Sequence, residues 1–128
     1  MKILLIPSAL FALFLVVPLT AADPVDVDVE KAAEVLEADA EVTVLDLRTP
    51  DEFAEGHLKG AVNVDFLDST FESELAKLDP TKPYLVHCAS GRRSGQSMAV
   101  FEKLKFTKIY QLTSGYKGWV AAGKPVAE

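Results

Sequence analysis

The stretch Tyr84–Ala99, YLVHCASGRRSGQSMA, decides the fold of this chain. Its first four residues, Tyr84–His87, form a short apolar run that is typical of a buried strand. The only cysteine of the chain, Cys88, follows at once and opens a six-residue loop that ends at Arg93. From Ser94 onward, apolar side chains recur at helical spacing. We therefore predict a buried strand, a loop of small residues and a helix in direct succession.

This succession is suited to holding an anion beside Cys88. The small loop residues let successive backbone N–H groups turn inward, and the first N–H groups of the helix add partial positive charge. Two arginines contribute permanent positive charge, so the pKa of Cys88 should be lowered. We interpret Cys88 as a nucleophile in an exposed loop, although most free cysteines are small buried hydrophobes. The predicted substrate-binding residues are Ala89, Ser90, Gly91, Arg92, Arg93 and Ser94.

The pattern Cys-x-x-Gly-x-Arg-Ser, formed by Cys88, Gly91, Arg93 and Ser94, resembles the active-site loop of the rhodanese family of sulfurtransferases. It is also similar to the loop of cysteine phosphatases, in which His-Cys is followed by five residues and then Arg. His87 and Cys88 fit that start, but only four residues separate Cys88 from Arg93. The resemblance implies that six-residue loops carry out sulfur transfer and seven-residue loops phosphate or arsenate chemistry. The loop length therefore favours sulfur.

The segment Asp46–Val64, DLRTPDEFAEGHLKGAVNV, resembles the first signature of the same family. The matching residues are Asp46, Arg48, Glu52, Phe53, Gly56, His57, Gly60, Ala61 and Asn63. Asp46, Arg48 and His57 have two interpretations: acid–base groups near the cysteine, or an ion pair and a hydrogen-bonded turn histidine. We favour structural support, because charge pairs that brace a loop are common and persulfide transfer needs little proton movement.

Residues 106–126 resemble the closing pattern of the family, in which a leucine and a pair of glycines precede a helix that contains tryptophan. Ser114 and Gly115 stand where the glycine pair is usual, and this departure is expected to bear on a turn near the loop. Trp119 is predicted to fill the core rather than to form a substrate platform, since large aromatic side chains on short helices usually fill space.

Local signals place the remaining elements. Asp28 is the predicted N-cap of a helix from Val29 to Ala38. Thr49 and Glu52 form a predicted capping box with Pro50 at the first helical position, and Ser69 with Glu72 offers a second box. Strands are predicted over residues 25–27 at an edge, 42–47, 62–65, 84–87 and 109–112.

Strands that alternate with helices at these lengths indicate βαβ units. We predict an α/β fold of the rhodanese-like class, with a mostly parallel central sheet of about five strands and helices on both faces. One domain over residues 23–128 is expected from the chain length.

The first 22 residues have the pattern of a secretory signal peptide. Lys2 is followed by an apolar run from Ile3 to Val17, and the small residues near Ala22 offer a cleavage site. The run is shorter than the ~20 apolar residues that a bilayer-spanning helix needs. We expect a periplasmic or secreted protein cleaved near Ala22; a retained membrane anchor is the alternative.

The charge balance excludes several partners. The chain has a net charge of −6, and residues 1–22 contain one lysine and no acidic residue, so the mature chain carries about −7. Such a surface repels nucleic acid and anionic membranes, and neither is an expected partner. Two histidines and one cysteine are too few for a convincing zinc site, so we expect no metal or cofactor. A monomer is expected.

The resemblance implies a sulfurtransferase that takes sulfane sulfur from thiosulfate, or a similar small anionic donor, and passes it to cyanide or a thiol. A persulfide on Cys88 would carry the sulfur between the two steps. Two alternatives stay open: a phosphatase or arsenate reductase on the same scaffold, and a non-catalytic module that binds or relays sulfur.

Overall fold

The structure, a computed structural model, describes residues 2–4, 9, 12–13 and 23–128. The proposed signal peptide therefore lies largely outside the described residues, and its cleavage stays a prediction. Within the described ranges, no helix combines the length and the apolar character needed to cross a membrane.

Among the described residues, five parallel strands form one sheet, in the order β1-β5-β4-β2-β3. They are β1 Val25–Val27, β2 Thr43–Asp46, β3 Val62–Asn63, β4 Pro83–His87 and β5 Lys108–Leu112. The predicted parallel sheet is confirmed, and the strands differ from the predicted ones only at their ends. β1 is an edge strand, as expected.

In the described part of the chain, four helices connect successive strands: α1 Val29–Ala38, α2 Pro50–Glu55, α3 Phe71–Leu75 and α4 Arg92–Lys103. A fifth helix, α5 Gly115–Ala121, follows β5. The N-cap of α1 is confirmed, because Asp28 Oδ1 accepts a 2.8 Å hydrogen bond from the Lys31 amide. The capping box of α2 is also confirmed: Thr49 and Glu52 each accept from the other's backbone amide.

The second capping box, predicted at Ser69 and Glu72, is wrong. The helix α3 begins at Phe71, and no side-chain hydrogen bond caps it at Thr70. Asp68 organises this turn instead, since its Oδ1 accepts from the Thr70 amide at 2.8 Å and from the Thr70 hydroxyl at 2.6 Å. A local Asp turn therefore replaces the expected Ser cap.

Alternate residues of the strands face two separate cores, as the period of a strand requires. On one face, Leu45 and Val86 pack with side chains of α3 and α4; on the other, Val44 and Leu85 pack with side chains of α1 and α5. Helices on both faces are thus confirmed. Trp119 of α5 is 5% exposed and belongs to the second core, as predicted.

The strands β4 and β2 lie side by side at the centre, with Asp46 opposite His87. The chain leaves β2 for β3 on one side and leaves β4 for β5 on the other. This is the point where the strand order reverses, and in open α/β sheets ligands bind outside the carboxyl ends of the strands there. The residues that follow β2 and β4 therefore occupy the expected binding edge.

Candidate active site

Cys88 is the first residue after β4, and its side chain turns back toward the loop that it opens. The Gly91 amide donates to Cys88 Sγ at 3.1 Å, and the Sγ atom lies 3.5 Å from Ser94 Oγ. Only 1% of the residue is exposed, so the expectation of an exposed cysteine is wrong. The reason is that the loop closes around its own sulfur while the cysteine packs into the core beneath it.

The loop amides stabilise a thiolate at this position. Burial opposes ionisation of the thiol, but hydrogen bonds from the Ser94 amide and hydroxyl and from the Ser90 and Gly91 amides outweigh it. The pKa of Cys88 therefore lies below its ordinary value, as a nucleophilic cysteine requires.

The Ser94 hydroxyl group, which contacts the Cys88 sulfur, also accepts a hydrogen bond from Gln111. Gln111 Nε2, from the buried end of β5, donates to Ser94 Oγ at 3.3 Å. In the thiol form the S–H group donates to Ser94 Oγ, and the Ser94 hydroxyl donates to the Gly91 carbonyl. Once the thiol ionises, the same hydroxyl can turn its proton toward the sulfur.

The amides of the loop face inward because its carbonyl groups are held outward by α5. The Tyr116 amide donates to the Cys88 carbonyl at 2.8 Å, and the Lys117 amide donates to the Ala89 carbonyl at 3.0 Å. Gly115 makes this approach possible: it has φ +66°, and a Cβ atom there would lie 2.5 Å from the Ala89 oxygen. Of the two residues at the usual glycine pair, this chain thus keeps the glycine that touches the loop.

The two arginines of the loop differ in their surroundings. The helix α4 begins at Arg92, two residues earlier than predicted, so both arginines lie in its first turn. Arg92 is exposed, and no ion pair joins it to another described residue. Arg93 forms a bidentate ion pair with Glu52 of α2, with N–O distances of 2.7 and 3.0 Å. This arginine lowers the pKa of Glu52 to about 2, so the pair is fully charged at neutral pH.

Asp46 and Arg48, at the end of β2, form a buried ion pair beside the loop. Arg48 Nη2 lies 2.8 Å from Asp46 Oδ2 and 2.6 Å from the Gly56 carbonyl oxygen, and its guanidinium carbon lies 3.8 Å from the centre of the Tyr116 ring. Exposure is 0% for Asp46 and 4% for Arg48. Asn63 holds the same turn, because its amide donates to the carbonyls of both residues. The arrangement is that of structural support.

His57 lies in the turn after α2 rather than among the groups that touch the sulfur. Its Nδ1 is 2.9 Å from the Phe53 carbonyl oxygen, and its ring stacks on that of Phe53 with 3.9 Å between centroids. Its backbone pairs with Ala127 through two hydrogen bonds. These contacts fit a turn histidine that pairs with the segment around Ala127.

Three residues near the loop were not singled out for these roles from the sequence. Glu52 was noted for capping and family likeness, but its partner Arg93 lies 41 positions away. Tyr116 meets Arg48 only through the fold. Gln111 carries a usable signal: it is a polar residue inside the apolar last strand, and such a residue usually needs a buried partner.

The described part of the chain holds no cluster of three or more His, Cys, Asp or Glu residues with the placement of a metal site. The groups that the loop itself presents are a low-pKa thiol, amide donors and guanidinium groups.

The chain is similar to several known proteins. The rhodanese-like domain family matches residues 28–122. Thiosulfate sulfurtransferase 18 of Arabidopsis thaliana is 30% identical over 118 residues, which cover 83% of this chain and 85% of that protein. The uncharacterised protein YqhL of Bacillus subtilis is 33% identical over 76 residues, and the match spans 59% of each chain.

A solved structure gives the same result. The rhodanese-related protein of Thermoplasma volcanium superposes with a TM-score of 0.71 at 26% identity, and the match covers 80% of this chain and 97% of that one. The loop geometry, the sheet order and the match over residues 28–122 agree: this chain belongs to the rhodanese-like family.

Proposed function

We propose that this protein is a sulfurtransferase that moves sulfane sulfur from thiosulfate or a similar donor to cyanide or a thiol. Membership of the rhodanese-like family supports the general class. One observation carries the specific proposal: the amides of Ser90, Gly91 and Ser94 converge on the Cys88 sulfur and lower its pKa. A ring of amides around one sulfur is suited to stabilising both a thiolate and the persulfide anion formed from it.

The reaction proceeds in two displacements at sulfur. The Cys88 thiolate attacks the outer sulfur of thiosulfate, the S–S bond of the donor breaks, and sulfite leaves with the electron pair. The acceptor then attacks the outer sulfur of the Cys88 persulfide, and the thiolate leaves. Thiocyanate is the product when cyanide is the acceptor. The two steps together balance without a cofactor or an added oxidant.

The acceptor comes from outside the chain. Cys88 is the only cysteine in this sequence, so no second thiol within residues 1–128 can take the sulfur from the persulfide. Cyanide or a free thiol, small or on a partner protein, therefore completes the cycle.

The positive charge at the loop draws the anionic donor toward the sulfur. Arg92 is exposed and forms no ion pair with another described residue, so its charge is available to an anionic donor. The charge of Arg93 is balanced by Glu52, so this residue contributes geometry and hydrogen-bond donors more than net charge.

The test is the intact mass of the purified protein after treatment with thiosulfate and then with cyanide. We expect a gain of about 32 Da, one sulfur atom, which cyanide removes. The Cys88→Ala variant is the control and should gain nothing. An unmodified mass for the reduced native protein would contradict the proposal. In that case, hydrolysis of an aryl phosphate would identify phosphatase chemistry. If no hydrolysis occurred either, the protein would be identified as a binding module.

A further inference from the structure

The imidazole of His87 lies directly beneath the loop, and no role in the reaction has been given to it. It is the last residue of β4, and its exposure is 0%. Its Nδ1 is 2.9 Å from the Cys88 carbonyl oxygen. A carbonyl oxygen can only accept, so Nδ1 carries a proton and donates it. The tautomer of the ring is thereby fixed.

The other ring nitrogen has no such contact. His87 Nε2 is the one buried side-chain nitrogen or oxygen in the described part of the chain that lacks a hydrogen-bond partner. It lies 3.7 Å from Asp46 Oδ2, near Arg48 and the Tyr116 ring. Burial outweighs the carboxylate and lowers the pKa of His87, so the ring is neutral at neutral pH. A buried nitrogen without a hydrogen-bond partner is unfavourable. The hydrogen bond that His87 contributes to the structure is therefore the one at Nδ1.

The Cys88 carbonyl receives two donors, His87 Nδ1–H and the Tyr116 amide at 2.8 Å. Peptide groups are planar and trans, so holding a carbonyl on one side points the N–H of the same peptide to the other. The peptide that His87 contacts carries the N–H of Ala89. The next peptide has the same arrangement: its Ala89 oxygen accepts from the Lys117 amide, and its Ser90 amide contributes to lowering the pKa of the Cys88 thiol.

We propose that His87 is a positioning residue for the active-site loop. Its Nδ1–H holds the Cys88 carbonyl away from the sulfur and so fixes the first peptide of the loop, which sets the direction of the amides that follow. This deepens the proposed sulfur transfer and rests on it for the persulfide, but the effect on the thiolate is independent of the donor.

Three substitutions separate this role from general support of the core. In His87→Asn, the amide nitrogen stands near the place of Nδ1 and can donate to the Cys88 carbonyl. In His87→Gln, the amide reaches the place of Nε2 beside Asp46. The third variant, His87→Leu, has no donor. The control Tyr84→Phe removes a hydrogen bond to the Asp79 carbonyl at the opposite end of the same strand.

The measurement is the rate of Cys88 alkylation by iodoacetamide as a function of pH, with folding checked by circular dichroism. At neutral pH we expect alkylation about fivefold slower in His87→Leu and His87→Gln, because the Cys88 carbonyl loses one of its two donors, the amides that follow are held less well, and the thiol pKa rises. His87→Asn and Tyr84→Phe should react like the native protein.

Native-like alkylation of His87→Gln would overturn the proposal, as would slow alkylation of His87→Asn. These two folded variants decide the matter even if His87→Leu does not fold. Since alkylation reports the thiolate whether or not thiosulfate donates sulfur, a failure here is distinguishable from a failure of sulfur transfer.

Discussion

The ends of β2 and β4 lie side by side, and they use their polar groups in opposite ways. After β2, the donors and acceptors satisfy one another: Arg48 is shared among Asp46, the Gly56 carbonyl and the Tyr116 ring. After β4, three amides and a hydroxyl are directed at the single sulfur of Cys88.

The difference teaches how one sheet edge combines a rigid support with a reactive group. A buried ion pair with all its partners has no charge left to offer a substrate, but it fixes the position of what lies beside it. A loop whose amides meet only a sulfur is prepared to stabilise whatever negative charge develops there. The predictions below perturb one end or the other.

The largest effect is expected at the end of β4, where Cys88 lies. Cys88→Ser keeps the shape of the side chain and a hydrogen-bonding atom at its tip but removes the sulfur nucleophile. Thiocyanate formation from thiosulfate and cyanide should fall to the background rate. The free energy of unfolding in urea should change by about 1 kcal/mol or less, since the hydroxyl can accept from the Gly91 amide. Loss of folding would instead indicate a structural cysteine.

Breaking the Asp46–Arg48 ion pair at the end of β2 should lower the stability of the protein. Asp46→Asn leaves the buried Arg48 without its countercharge, and we expect a loss of about 3 kcal/mol in the free energy of unfolding. The matched control is Glu74→Gln, which removes an exposed ion pair with Lys77 and should change stability barely measurably. Equal effects of the two substitutions would contradict the supporting role of the Asp46–Arg48 pair.

Gly115→Ala tests the contact that turns the loop amides inward. The new Cβ would meet the Ala89 oxygen at 2.5 Å in a residue with φ +66°. Gly123→Ala is the control, since its φ of +74° is similar but no atom lies within 4 Å of the new Cβ. Backbone strain alone costs about 1 kcal/mol in both, and the clash should at least double that loss for Gly115→Ala. Only Gly115→Ala should also slow the alkylation of Cys88.

The smallest effects concern the two arginines. Arg92→Ala should raise the KM for thiosulfate about two- to threefold, because one exposed charge near a substrate contributes modestly. Glu52→Gln should lower that KM, since it leaves the charge of Arg93 unbalanced. Steady-state kinetics at low and high salt measure both, and the differences should shrink as salt screens the charges. An unchanged KM in both variants would remove the loop charge from donor binding.

Features decided by neighbouring residues were predictable from the sequence. The caps at Asp28 and Thr49, the positions of the hydrophobic strands along the chain and the loop after β4 follow from local patterns. The failed cap at Ser69 was also local, but two overlapping turn motifs competed and Asp68 prevailed.

Features that depend on distant residues were not predictable in this way. The burial of Cys88 depends on how the loop closes over the core, and the pairing of Arg93 with Glu52 joins different helices. The same holds for Tyr116 beneath Arg48. No periodicity in the sequence records such contacts, because they arise when the sheet brings separate segments to one edge.

The pairing of the first strand with the last has a consequence for the order of assembly. Val25 lies beside Tyr110, about 85 positions later in the chain, and closing so long a loop makes folding slow. The segment that completes the sheet also leads directly into the amides of α5 that hold the loop carbonyls. A chain still emerging from the ribosome therefore carries Cys88 before it can build the surroundings that activate it. The thiol becomes reactive only once the residues of α5 have been synthesised as well.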